Sequence, residues 1–398
     1  MINYILHFPK ELTTKIRNEF CTTVMINLER LRENCRVNDA ENFGSLSKLS
    51  SRKNILRIIF CKPSRFKELI EEVFVSLPVI ADRYNPKRIF ANGNFNYELL
   101  ELHASSTRAK EIHSVVKSSL SAELLRLHRD FDSYICSDLN RKLNATNSIG
   151  NTKKILLRVK LLASGEGRLT KEEKTLYPSW VQEFYGAFDY ELLSRDYGYN
   201  LVASSQLSVC PYCNAEEIPL ILGAKKTHRP ALDHFLPRSK YPFLGISIYN
   251  LIPAGNICNT SFKSDIDFLD GYLNPLVSGV EHKSLFNFEF NALLNLVDIR
   301  LKKIQAFEKN KNIFELEARY CSPYYEEVYL DIRTNYKILK DLNKNEVDIS
   351  KDKFLINQFF KMNGSCNKTQ NLKFRKEALR HVIFNHKLVN TQEIEVVE

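Results

Sequence analysis

Apolar residues recur at three- to four-residue spacing through most of the first 160 positions. Leu12, Ile16, Phe20, Val24, Leu28 and Leu31 make one such stripe, and Leu124, Leu127, Phe131, Tyr134 and Ile135 make another. Side chains three and four apart share one face of a helix, so this spacing predicts amphipathic helices packed on a core. After Pro63, Ser64 stands where it would cap a helix carrying Phe66, Leu69, Ile70 and Val73. Thr170 with Glu173, and Ser179 with Gln182 just after Pro178, have the spacing of capping boxes. Polar and glycine-containing stretches at 147–152 and 163–167 are the best breaks in this half.

Between Cys210 and about Asp265 the texture changes. Short β-branched and aromatic runs are broken by Pro, Gly and Asn, which predicts hairpins and loops rather than long helices. Beyond Asn287 the positions Leu293, Leu296, Ile299, Leu301 and Ile304 predict helix again, ending in a basic helix over 371–386 with Lys373, Arg375, Lys376 and Arg380. His381 and His386 read as surface or core histidines. The expected architecture is mainly α with a small α+β insert: a helical region over 1–165, a domain over 166–290 with its core motif at 210–263, and a helical region over 291–398.

Composition narrows the classes. A chain of 398 residues with 44% hydrophobic content exceeds what one core usually organises, so two or three packed units are expected. Only 13 Gly and 13 Pro exclude collagen-like repeats and argue against a disordered scaffold. The net charge of +10 and pI near 9.0 suit a polyanionic partner such as nucleic acid, or simply a soluble basic surface. No apolar run reaches the ~18 residues of a membrane span, and the first ten residues lack the pattern of a secretory signal, so a cytoplasmic protein without membrane association is expected. Nine cysteines, seven of them scattered, fit reduced thiols, with Cys210 and Cys213 as the close pair.

The informative window reads Cys210-Pro-Tyr-Cys213-Asn214, then Leu232-Asp233-His234-Phe-Leu-Pro237-Arg238-Ser239-Lys240-Tyr241-Pro242, then Asn250-Leu-Ile-Pro253, then Cys258-Asn259 and Lys263. Alone, an Asp-His pair is usually incidental, and a Cys-x-x-Cys spacing can bind zinc, act as a redox pair or do neither. In this order the elements resemble the HNH endonuclease family, whose ββα-metal finger wraps a hairpin and a helix around one divalent cation. The Cys-Pro-Tyr-Cys knuckle and the Asp-His-Phe…Tyr-Pro phrase further resemble bacterial HNH effectors of anti-phage defence, including those of Septu and retron systems.

The resemblance implies a role for each residue. His234 would be the general base that activates water. Asp233 would offer a hard oxygen to Mg²⁺ or Mn²⁺, and Asn259 would be the second ligand of that cation. Asn250 would hold the hairpin and so position His234, and Lys263 would contact a phosphate. The implied activity is metal-dependent hydrolysis of nucleic acid, with DNA favoured over tRNA or other RNA, and the implied partner is an ATPase or retron-type protein that restrains or activates it. A different class of function also fits: a non-catalytic zinc-knuckle protein that binds nucleic acid or assembles a complex.

Family members often hold a structural zinc with two Cys-x-x-Cys pairs, and here the second reads Gly255-Asn-Ile-Cys258. Cys210, Cys213 and Cys258 supply three thiolates where a structural site wants four ligands, with His228, and more remotely Cys321 or His282, as candidates for the fourth. Equally, the thiols would pack as small buried hydrophobes. Lys225, Lys226, Arg229, Arg238 and Lys240 flank the Asp-His pair and either track phosphates or form a solvated face. The window carries little of the positive charge, so the helical regions are expected to grip a nucleic-acid backbone.

Overall fold

The computed structural model describes residues 1–290, 296–342 and 353–395. It is mainly helical with small antiparallel sheets. Two compact units arise: one comprises Thr14–Glu191 with Leu236–Ile248, the other Met1–Thr13, Leu192–Phe235 and Tyr249–Glu398.

The first unit buries its predicted stripe. Val24, Leu28 and Leu31 line the helix Cys21–Asn38, which packs on the helix Ser179–Ala187 and its fully buried Trp180. The second stripe belongs to two helices rather than one. Thr107–Phe131 ends where Asp132 turns left-handed (φ 48°), so Tyr134 and Ile135 open a new helix, Tyr134–Asn144. The polar centre is Asp82, fully buried, which accepts from Ser133 Oγ (2.6 Å), Tyr177 OH (2.9 Å) and Ile135 N (3.3 Å). Burial outweighs these donors and lifts its carboxyl to about 6.

Local capping follows the sequence only where the side chain can reach. Thr170 and Glu173 form a reciprocal capping box. Ser64 instead lies inside a short turn, Pro63–Arg65, ahead of the helix Phe66–Ser76, and Pro178 takes the cap position of the helix that Ser179 begins. Proline favours the start of a helical segment, which displaces the serine from the capping position in the first case. The break expected over 147–152 ends at Ser148, whose side chain accepts from Asn151 N and caps Ile149–Ser164; left-handed Gly165 (φ 84°) closes that helix.

The stretch 236–248 is anchored within the same unit. Tyr241 stacks on Phe74 (centroids 6.0 Å apart) and accepts from Asn85 Nδ2 (3.3 Å), Phe243 meets Phe74 edge-on (5.8 Å), and Ser247 Oγ donates to Cys61 O (3.3 Å).

In the second unit, β1 (Ile221–Leu222) pairs with β2 (Thr227–His228), β3 (Ala231–His234) with β4 (Leu251–Ala254), and β5 (Phe286–Phe290) with β6 (Leu296–Leu301), all antiparallel. The last hairpin corrects the helix expected beyond Asn287. Phe286 and Phe288 are buried while Asn287 and Glu289 are exposed, and Ile299 and Leu301 bracket exposed Arg300, so the governing period is two. Leu293 lies outside the described residues.

The helix Leu372–Glu395 covers β5, with Phe374 against Phe286 and Phe288 (5.1 and 5.8 Å). Lys373 therefore does not join an exposed basic face. It is buried, paired with Glu377 (2.6 Å) and donating to Glu281 O (2.7 Å), because its position lies on the face that packs inward beside Phe374. His381 is a packing residue between Phe288, Phe290 and Tyr329. No helix among the described residues is long and apolar enough to cross a membrane.

Candidate functional site

Two features lie side by side in the second unit: a cluster of thiols and a buried carboxylate next to a histidine. The cluster begins with a tight hairpin. Cys210 N donates to Glu216 O and Asn214 N to Cys210 O (both 2.8 Å), while Val209 bridges Glu217. Asn214 takes the left-handed backbone (φ 58°) that such a turn needs and that asparagine tolerates. Cys258 arrives on the short helix Ile257–Lys263 that follows β4.

The Sγ atoms of Cys210, Cys213 and Cys258 lie within 4.8 Å of one another, all buried. Hydrogen bonds from Cys210 and then Cys258 hold the Cys213 thiol well below its ordinary value, and Ala215 N (3.4 Å) and Arg319 Nη1 (3.3 Å) also donate to it. Three soft sulfur donors gathered out of solvent fit a thiophilic ion such as zinc. None of the expected fourth ligands joins them: His228 on β2 and His282 are exposed, and the Cys321 thiol donates to Ile299 O.

The carboxylate is Asp233 on β3, opposite Ile252, with His234 opposite Leu251. Alternation along the strand sends the two side chains to opposite faces. Asp233 is 3% exposed, and His234 is half-buried. Both Asp233 oxygens are engaged: Tyr212 OH donates to Oδ2 (2.6 Å) and Lys263 Nζ lies 3.1 Å from Oδ1. Burial raises its carboxyl above the usual range, and Lys263 and Tyr212 pull it back.

Lys263, expected to contact a phosphate, is not at the surface in this structure. It is fully buried, donates to His234 O (2.6 Å) and lies 5.0 Å from the Phe268 ring centroid. A carboxylate removed from water requires a cation, and the helix after β4 supplies this one. Asn259, one turn earlier on that helix, is half-buried and donates its backbone N–H to Gly255 O (2.9 Å). Asn250 is fully buried at the start of β4, and its carbonyl accepts from Phe235 N (2.8 Å), tying the hairpin beside His234.

Of the flanking basic residues, Arg229 is folded onto Ser194 Oγ (2.6 Å) and the Tyr199 ring, and Arg238 pairs with Glu191 (3.0 Å) over Tyr190. Lys225 and Lys226 are exposed at the tip of the β1–β2 hairpin, and Lys240 is half-buried. Sequence reasoning missed Tyr212, Glu216 and Arg319. Tyr212 stands between two candidate ligands, which is a signal; Arg319 is far away in sequence and leaves none.

No protein-family model matches this chain, and no match was found among curated proteins or among solved structures.

Proposed function

We propose that the protein is a metal-dependent endonuclease of the HNH type, acting on nucleic acid with DNA ahead of RNA. The observation that carries this reading is the convergence at one point of the strand bearing Asp233 and His234 with the helix bearing Asn259, joined by Lys263 to both Asp233 Oδ1 and His234 O. The strand pair followed by a helix has the order of a ββα finger.

In this reading His234 takes the proton from the attacking water, and the Asn250 carbonyl, by holding Phe235 N, fixes the strand end that carries the imidazole. Asp233 and Asn259 would hold Mg²⁺ or Mn²⁺, which when bound supplies charge stabilisation at the phosphate. Such an ion would take the place beside Asp233 Oδ1 that the Lys263 ammonium fills, one cation for another. The cysteine cluster, reached from the same helix through Cys258, would hold zinc and brace Asn259. The bacterial-defence resemblance extends the proposal to a toxic effector restrained or activated by an ATPase or retron-type partner in the cytoplasm.

The test is to incubate purified protein with plasmid DNA and with tRNA, in Mg²⁺, Mn²⁺ or EDTA, beside His234→Ala. Metal-dependent cleavage lost in the variant supports the proposal; cleavage that persists in His234→Ala, or none with every native partner present, defeats it. The Lys263–Asp233 pair favours one other reading, a non-catalytic zinc-knuckle module in which the buried pair simply locks the hairpin to the helix. No cleavage with intact nucleic-acid binding is its signature.

A further inference from the structure

We infer that the Glu216 carboxylate is the fourth ligand of a zinc ion held by Cys210, Cys213 and Cys258. Three buried sulfurs within 4.8 Å of one another leave a tetrahedral ion one ligand short. Glu216 ends the hairpin that presents Cys210, its own carbonyl bonded to Cys210 N (2.8 Å). Its Oε1 accepts from Ile257 N (3.4 Å), the residue before Cys258, and its Oε2 is buried without a hydrogen-bond partner. An unpartnered carboxylate oxygen in the interior is costly, and a cation is what it lacks.

The carboxylate lies over Gly255, where a Cβ would meet the end of the Glu216 side chain, with Oε1 2.7 Å away. The carboxylate is not within the closed set of sulfurs, so ligation requires it to turn about its side-chain bonds. Three thiolates and a carboxylate exceed the charge of Zn²⁺, and the Arg319 guanidinium, 3.3 Å from Cys213 Sγ, offsets part of that excess.

The inference stands apart from the nuclease reading, since its readout is metal binding. Zinc content is measured by elemental analysis, retention by competition with a chelator, and ligand type by the absorption of the Co²⁺-substituted protein. Wild type is expected to carry one zinc per chain and to show three thiolates on cobalt. Glu216→Gln should keep three thiolates, shift the d–d bands and lose affinity by more than the roughly 10- to 100-fold that removal of an outer partner causes. Gly255→Cys/Glu216→Ala should regain tight binding with a fourth thiolate, which keeps the test decisive even where Glu216→Gln folds poorly. Zinc-free wild type, Glu216→Gln with unchanged retention and bands, or a double variant with only three thiolates on cobalt overturns the assignment.

Discussion

Replacing Lys263 by methionine keeps the aliphatic stem beside Phe268 and removes the charge. Asp233, 3% exposed, then loses the ammonium 3.1 Å from Oδ1 and retains only the Tyr212 hydroxyl; His234 O loses its 2.6 Å donor. Breaking a buried pair from one side costs about 3–5 kcal/mol, because an uncompensated charge stays behind. For a unit of this size that lowers the melting temperature by roughly 6–20 °C. The pH dependence has a definite sign. Burial already raises the Asp233 carboxyl, and losing Lys263 raises it further. A carboxyl raised above its unfolded value favours folding most when protonated, so the deficit of Lys263→Met relative to wild type is smallest in acid and grows as pH rises through the folded value. The assay is amide hydrogen exchange over 231–235 and 249–263, since the single tryptophan, Trp180, belongs to the other unit. Asp233→Asn/Lys263→Met removes both charges and should recover most of the loss. A Lys263→Met protein within about 1 kcal/mol of wild type at neutral pH, or a double variant as unstable as the single, refutes the view that this ion pair locks the helix to the strand.

Asp82 gives a second pH signature. With its carboxyl raised from 3.8 to about 6, the unfolded chain releases this proton first, so the contribution of Asp82 to stability falls by about 3 kcal/mol between those values as pH rises. Urea unfolding followed by Trp180 fluorescence at pH 4 and pH 7 should register it, and Asp82→Asn should flatten that slope; an unchanged slope rejects the assignment. Tyr241→Ala removes a buried ring stacked on Phe74 and should cost about 3–5 kcal/mol by the same fluorescence measurement, against about 1 kcal/mol for Tyr241→Phe, which keeps the ring and removes the hydroxyl that accepts from Asn85. In the cleavage assay, excess Mn²⁺ should partly restore Asn259→Ala, a ligand variant, but not His234→Ala; equal rescue of both contradicts their roles.

Much of the framework was legible in the sequence because it depends on neighbours along the chain. Helical stripes such as Val24, Leu28 and Leu31, the Thr170–Glu173 capping box and the break over 163–167, where Gly165 ends the helix, are set within a few residues. The gathering of Cys210, Cys213 and Cys258 was anticipated only through their order in a motif, and the structure brings them together. The C-terminal hairpin was misread where leucines and isoleucines at helical spacing outweighed the alternation in Phe286-Asn-Phe-Glu-Phe290, although burial follows that alternation. Local pattern offers both periods there, and packing against Phe374 selects one.

The sequence by itself determined which chemical groups are present and which local turns they sit on: a carboxylate beside an imidazole, three thiols, a helix-capable segment bearing Asn259 and Lys263. Only the tertiary structure decided what those groups face. Lys263, expected to meet a phosphate, is buried against Asp233, and Glu216, an ordinary polar residue in the sequence, places one buried carboxylate oxygen, Oε2, beside Gly255. The reason is that desolvation and charge pairing act between atoms brought together by folding, across separations of 30 residues for Asp233 and Lys263 and of 106 for Cys213 and Arg319. Spacing along a chain records neither the burial of a charge nor the partner that neutralises it.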